Sequence, residues 1–560
     1  MTMSGRMRRE NSISVFAYQD DKTADAQECV PPGGQMGLTG NNEGITRAMG
    51  KIFVLFGLVF GVVGAIVHAE EGEMSVVTYE AFGAVGDGKT DDFDAIVRAH
   101  AYANENNLPV RANDSSTYYI GGKDQTAVIQ TDTDFGAAQF LIDDRDLENI
   151  RAHVFMARSS HKSVRLEGLE SLRRNQAKID VALPGPSVVV VRDRNVMRYI
   201  RRGNNQNDGS PQTDMFLVDG QGNVDPNTPI IWDFEHITQA TAHPLDEVTL
   251  RISGGRFTTI ANQAESKYNY HARGIAIRRS NVVVDGIEHR VTGEGEHGAP
   301  YVGFLHISDC ANVTVKNSVF TGRRFYTTIG SAGRPVPMGS YDIGVNRVLN
   351  ISFVNCSQTN DIKDRTFWGI MGTNNNKNFL LENCTFSRFD AHQGVANATI
   401  RNSRLGHSGV RLIGHGTFLM ENTTVYANEL IGLRGDYGST WHGDIIIRDC
   451  TLVPQGRRQG ALHLIGGSND GQHDFGYTCY MPERITIENL HIDDAGRGDG
   501  YRGPTIFANF NPAFTDDSYE QPFPYVVTRE VVLRNVTTAS GKPLRVSDNM
   551  HMFKNVLVHQ

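Results

Sequence analysis

Residues 378–425 read NFLLENCTFSRFDAHQGVANATIRNSRLGHSGVRLIGHGTFLMENTTV. One phrase occurs in this stretch three times, as NFLLENCTF, NATIRNSRL and TFLMENTTV. Each alternates apolar and polar residues, then reaches an Asn followed by a small residue. The same phrase stands upstream as NVTVKNSVF (312–320) and NISFVNCSQ (350–358). Downstream it returns as DIIIRDCTL (444–452), RITIENLHI (484–492) and EVVLRNVTT (530–538). Its marker residues are Asn317, Asn355, Asn383, Asn402, Asn422, Asp449, Asn489 and Asn535, spaced by subtraction 38, 28, 19, 20, 27, 40 and 46 apart.

The shortest spacings decide the architecture. Nineteen or 20 residues are too few for a strand–helix–strand unit of about 30 residues, but they hold three short strands and their turns. A repeat of that length is a solenoid coil, and longer spacings are the same coil with an insertion at a turn. The pattern therefore predicts a right-handed parallel β-helix. Strand alternation turns Val313, Val315, Ile351, Phe353, Phe379, Leu381, Ile400, Phe418, Met420, Ile445, Ile447, Ile485 and Ile487 inward. The marker Asn tolerates left-handed backbone, and its amide can bond its copies in neighbouring coils. The next position is small in most repeats (Ser318, Cys356, Cys384, Ser403, Thr423, Cys450), as a tight stack requires. Three of the six cysteines share this register. They read as buried thiols, and no cysteine spacing resembles a metal site.

At 560 residues the chain exceeds one ordinary domain, and its 58 glycines suit a fold built of turns. Its formal charge is −9, which argues against nucleic acid as a partner. The first 69 residues carry 6 basic and 6 acidic side chains, so the remainder is also −9, from 48 basic and 57 acidic. An anionic polysaccharide would need a local basic groove.

Residues 1–48 are polar, aperiodic and Gly-rich. They are expected to be disordered or to precede the true start. Met49-Gly-Lys, the apolar run Ile52–Val67 and Val67-His68-Ala69 have the three parts of an export signal, so residues 49–69 are expected to be removed. Sixteen apolar residues are short for a span of about 20, and the mature protein is expected to have no membrane span and to be secreted, periplasmic or at the cell surface.

Residues 70–125 are expected to form an N-terminal cap and first coil. A strand at Val76–Phe82 leads through Gly83, Gly86 and Gly88 to a helix capped by Asp91 or Asp92, with Phe93, Ile96, Val97 and Ala101 on its apolar face. Residues 126–245 lack the repeat but hold strand-like runs such as SVVVVRDRNVMRYI and DMFLVDG, so an inserted β-rich subdomain is expected there. The β-helix proper is expected over 246–560.

The run FGAVGDGKTDDFDAI (82–96) closely resembles the opening segment of the pectate lyase-like right-handed β-helix superfamily. That resemblance implies the same fold and a carbohydrate-active protein, among lyases, hydrolases, epimerases and phage tailspikes. It makes a bound calcium ion an option, on the resemblance alone, and fixes no cofactor. Gly414-His415-Gly416 is similar to a polygalacturonase element. Neither the paired aspartates of polygalacturonases nor the calcium aspartates of pectate lyases have a counterpart here.

A β-helix offers ligands an outer sheet and its loops. The strand before each phrase gathers Asp390, His392, His407, Arg411, His415, Arg434, Asp436, Tyr437, His442 and His463, with Trp368 and Trp441 as possible sugar platforms. Stacking at about 4.8 Å would merge them into one patch. For β-elimination at a uronate, Arg411 or Arg434 would neutralise the carboxylate, His392 or His415 would be the base, and Tyr437 would protonate the leaving oxygen. For hydrolysis, Asp390 and Asp436 are the pair at hand. A glycan-binding protein would use the same groove without chemistry. A rival acidic segment holds Glu288, His289, Glu294, Glu296 and His297.

Overall fold

The computed structural model describes residues 75–455, 461–469, 477–521 and 524–560. The expected N-terminal extension and export signal lie outside the described residues. Among the described residues, no helix is long and apolar enough to cross a membrane.

The repeated phrases stack as one parallel sheet. Val282–Asp285 pairs with residues 313–316, followed by 351–354, 379–382, 398–401, 418–421, 445–448, 485–488 and 531–534. Register is kept throughout, so Val315, Phe353, Leu381, Ile400, Met420, Ile447, Ile487 and Leu533 form one inward column, and all are buried. After the marker residue a second face stacks 288–292, 319–320, 357–358, 385–386, 404–405, 424–425 and 451–452. The strands before each phrase stack as a third face: Ile275–Arg278, then 305–308, 343–346, 371–374, 389–393, 410–412, 431–433 and 465–466. The protein is a right-handed parallel β-helix.

The turns are held by amides. The marker residues have φ between 42° and 54°. Asn355 donates to Asn317, Asn383 to Asn355, Asn422 to Asn402, Asn489 to Asp449 and Asn535 to Asn489, at 2.8–3.2 Å. A second ladder, not foreseen from the sequence, runs along the other corner through Asn281, Asn312, Asn350, Asn378 and Asn397 at 2.9–3.4 Å. Replacing Asn383 with Ala should cost about 2 kcal/mol, from the left-handed backbone of an L-residue and a lost hydrogen bond. Asn383→Gly should cost roughly half as much, because Gly adopts that backbone freely. Chemical unfolding of both variants checks this; equal losses would assign the whole effect to the amide.

The N-terminal cap differs locally from expectation. Val76–Phe82 is not a strand: Val77 makes a single bridge to Val110, and Glu80–Phe82 is a 3-10 turn. Asp92 bends back to accept from the backbone N–H groups of Val85 (2.6 Å) and Gly86 (3.2 Å), which closes the glycine turn. Asp91 accepts from Phe93 N (3.1 Å) at the start of the helix Phe93–Asn106.

The inserted subdomain begins later than residue 126. Ala127–Ile129, Thr133–Asp134, Gln139–Asp143 and Phe155–Arg158 all pair in parallel with β-helix strands, so coils continue to Arg158. Their interruption by long turns hid the repeat. The insert is an antiparallel sheet of Val164–Arg165, Ser187–Arg198, Ser210–Val218 and Gln239–Pro244. One side has its own core, including Val189, Val191, Phe216 and Phe234. Val188, Val190 and Met215 on the other side pack on Ala311 and Leu349 of the β-helix. Next in that row, Lys377 is buried against Asp214 at 2.6 Å, an ion pair that fixes the docking register.

Candidate functional site

On the third face one outward row runs Gly344, Gly372, Asp390, Arg411, Gly432 and Gly466. Only Asp390 and Arg411 carry side chains in it. The glycines are required by what lies over them. A Cβ on Gly372 would come 2.6 Å from the Tyr341 ring, one on Gly432 would come 2.2 Å from Arg411 Nη1, and one on Gly466 would come 2.4 Å from the Glu429 carboxyl.

Asp390 is fully buried although it points outward. Its carboxylate accepts from Arg434 Nη1 at 2.8 and 2.9 Å, is 2.5 Å from Arg388 Nη2, and accepts from the Tyr341 hydroxyl. Arg434 also donates to Asp436 through Nε (3.1 Å) and Nη2 (2.8 Å). Asp436 accepts a further bond, from Arg201 Nε of the inserted subdomain, at 2.8 Å. Burial alone would raise both carboxyls. The arginines outweigh it and hold both below the usual carboxylate range, Asp390 far below it through Arg388 and Arg434. Both are therefore ionised at neutral pH.

His392 sits at the edge of this network, half-buried. Its Nδ1 is 3.2 Å from Asn374 Oδ1, and its Nε2 is 3.2 Å from the Tyr437 hydroxyl. With Asn374 accepting, the proton is on Nδ1 and the Nε2 lone pair faces Tyr437. Burial, and then the Arg434 charge, lower its pKa to about 3. The imidazole is thus neutral and tautomerically fixed. The Tyr437 ring is packed in the core, and burial raises the phenol pKa.

The structure thus brings together Asp390, His392, Arg434, Asp436 and Tyr437. Trp368 borders them through Arg388, whose guanidinium stands 5.5 Å from the indole. Arg411, next to Asp390 in register, pairs with Glu429 at 2.6 Å. His463 is half-buried and three residues out of line with the expected match, because Gly466 takes its place in the row of Arg411. It stacks on Glu429 and Thr505, and its Nδ1 is 2.7 Å from Thr505 Oγ1.

Four expectations are corrected. His415 is not beside His392. The chain turns at Gly414, so His415 falls in the row under the insert, edge-to-face with Trp232 at 4.4 Å, beside a cavity of about 20 Å3 that has room for one water. His442 is stacked on Tyr480 at 4.2 Å in the same row. Trp441 is fully buried and donates its indole N–H to Asp444 O at 3.2 Å, so it presents no sugar platform. His407 is engaged with the main-chain carbonyl of Ile362, at 3.2 Å from Nδ1, and braces a loop.

The rival segment does not assemble. His289 points into the core, between Asp342 Oδ2 (2.7 Å) and Thr259 Oγ1 (2.9 Å), with its ring stacked on Phe304 at 3.7 Å. Glu288 pairs with Arg290, while Glu296 and His297 are exposed. Glu294 accepts from Arg324 N at 3.0 Å. Among the described residues no group of three or more His, Cys, Asp or Glu could hold a metal ion. The acidic residues of the site are held by arginine, which does not fit calcium.

Buried neutral histidines make stability depend on pH. His392 and His415 both fall to about 3, His415 through burial and then the nearby His442, from an unfolded value of 6.5. Between these values the unfolded chain binds more protons, so the stability they contribute is whole above about pH 6.5 and declines as pH falls towards 3. Melting temperature should drop steadily below pH 6.5, while an activity that uses neutral His392 should show no acid limb near 6.5.

No family model matches this chain. One curated protein is similar over 138 residues at 28% identity, a capsule KL64-specific depolymerase of Klebsiella phage P510. The match takes in 21% of this chain and 13% of that much longer protein. Among solved structures, the Gp54 tailspike of Acinetobacter baumannii bacteriophage AP22, determined with a capsular saccharide, superposes with a TM-score of 0.51. It shares 11% identity over 86% of this chain and 79% of its own. The Pseudomonas phage phi297 tailspike gp61 gives 0.47 at 12% identity, over 84% and 82%. The likeness to the AP22 tailspike agrees with the parallel β-helix.

Proposed function

We propose that this chain cleaves a polysaccharide held across the third face, by β-elimination at a uronate, with His392 as base and Tyr437 as acid. The observation that carries this reading is the His392–Tyr437 contact: a neutral imidazole with its lone pair on Nε2, against a phenol kept protonated by burial. His392 removes the proton adjacent to the uronate carboxylate. The electron pair forms the ring double bond, the bond to the leaving glycosidic oxygen breaks, and Tyr437 protonates that oxygen. Imidazolium and phenolate then face each other at about the same 3.2 Å, and one proton transfer between them resets the pair. The depolymerase similarity supports a polysaccharide as substrate.

The hydrolytic alternative through Asp390 and Asp436 is disfavoured by their environment. Hydrolysis needs one carboxyl that keeps its proton at working pH, and both are held ionised by arginines, Asp390 by Arg388 and Arg434 and Asp436 by Arg434 and Arg201. The three readings separate on products. Incubated with polygalacturonate, polymannuronate and neutral glycans, a lyase yields unsaturated uronates that absorb in the ultraviolet. New reducing ends without that absorbance would mean hydrolysis, and binding without either would mean a lectin-like role.

A further inference from the structure

Elimination at a uronate needs a cation on the carboxylate, and the two arginines expected from the sequence to supply it are both occupied. Arg434 is shared between Asp390 and Asp436, with a side chain only 8% exposed. Arg411 is matched by Glu429. Arg388 is held against Asp390. A further cation at the site comes from elsewhere in the chain. Between the inserted strands Ser187–Arg198 and Ser210–Val218, residues 199–209 reach across to the third face. Arg202 N donates to Asp436 O at 2.9 Å, and Ala332 N to Asn204 O at 3.1 Å. Tyr199 seats against Gly394, where any Cβ would come 2.1 Å from its hydroxyl.

This docking aims Arg201. Its Nε is fixed on Asp436 Oδ2 at 2.8 Å, and its guanidinium lies 5.5 Å from the centroid of the Tyr437 ring. Its charge reaches His392. The side chain is 24% exposed, and among the described residues no protein hydrogen bond engages its two terminal nitrogens. The connected groups number three arginines (201, 388, 434) and two aspartates (390, 436), a local charge of 3 − 2 = +1 on a chain of net −9. A guanidinium oriented through Nε with its fork open to solvent is preorganised for a carboxylate.

We infer that Arg201, brought in by the inserted subdomain, receives the carboxylate of the substrate, so that the insert selects a uronate polymer for the site on the β-helix. The inference rests on the cleavage reading for its purpose, but it can be measured as binding alone. The probes are polygalacturonate and polymannuronate, each beside its carboxyl-reduced neutral form, titrated against full-length Tyr437→Phe so that nothing is consumed. At least one polyuronate should bind, and Arg201→Gln in that background should weaken it by tenfold or more while leaving any binding of the reduced polymer unchanged. Arg201→Lys, which keeps the charge without the fork, should fall between. Equal weakening for charged and reduced polymers would make residues 199–209 a structural brace only and overturn the inference, as would failure of both polyuronates to bind. The two proposals fail separately. Arg201-dependent binding with no cleavage by the wild type would sink the lyase and spare the anion site. Undiminished cleavage by Arg201→Gln would do the reverse.

Discussion

Arg434→Ala should lose both stability and activity. Removing it takes the main hydrogen-bond donor from a fully buried carboxylate and frees Asp436 at the same time. Breaking a buried ion pair from one side costs about 3–5 kcal/mol, and the lower end is expected because Arg388 and Tyr341 still hold Asp390. The double change Arg434→Met with Asp390→Leu should lose less stability than the single change, because no charge is then stranded. Denaturant unfolding of the three proteins checks this. If Arg434→Ala unfolds like wild type, the network is more hydrated than its geometry implies. Activity should disappear in both variants, since the Asp436 that orients Arg201 is no longer held.

The second large effect is purely catalytic. His392→Ala and Tyr437→Phe should each reduce turnover by about 10²–10⁴-fold, the usual contribution of a positioned acid or base. His392 is half-buried and neutral, so its removal should change stability little beyond a weak hydrogen bond. Tyr437→Phe keeps the packed ring and removes only the hydroxyl. The two losses should not add: once either partner is gone, the proton cannot be handed back, and the double variant should resemble the singles. Turnover measured beside melting temperature separates chemistry from folding. A fall in both together would mean that these residues hold up the coils.

The β-helix was legible because its signal is repeated. Alternation and the marker Asn specify the inward column from Val315 to Ile487 without reference to anything distant. The site was only partly legible. Asp390, His392, Arg434, Asp436 and Tyr437 lie within one or two coils, and the sequence gathers them. One further signal was available. The pairs Ile343-Gly344, Met371-Gly372, Ile431-Gly432 and Ile465-Gly466 repeat an apolar–Gly step, and between the first and last of them only Phe389-Asp390 and Val410-Arg411 break it. Aligning on that step would have singled out Asp390 and Arg411 and corrected the register of His463.

The errors have physical causes. Gly414 turns the chain around a corner, and alternation cannot be carried across a turn, so the pattern places His415 on the wrong face. Trp441 stands at a corner whose inward side no strand pattern marks. Tyr341 and Arg388 reach Asp390 from the flanks and interrupt no motif. Arg201 lies 235 residues from Asp436 and enters through a docking that depends on Lys377 meeting Asp214. Contacts of that kind arise from tertiary packing and leave no local trace.

The proposed place for the sugar is the rim where His392, Tyr437 and Arg201 meet. The most direct test is a crystal structure of Tyr437→Phe with a bound uronate oligosaccharide. It should place a uronate carboxylate on the terminal nitrogens of Arg201 and the adjacent ring C–H within about 3–3.5 Å of His392 Nε2, the reach of a near-attack geometry. An oligosaccharide seated elsewhere, beside residues 288–297 or on the row of His415 and His442, with the His392 rim empty, would contradict it.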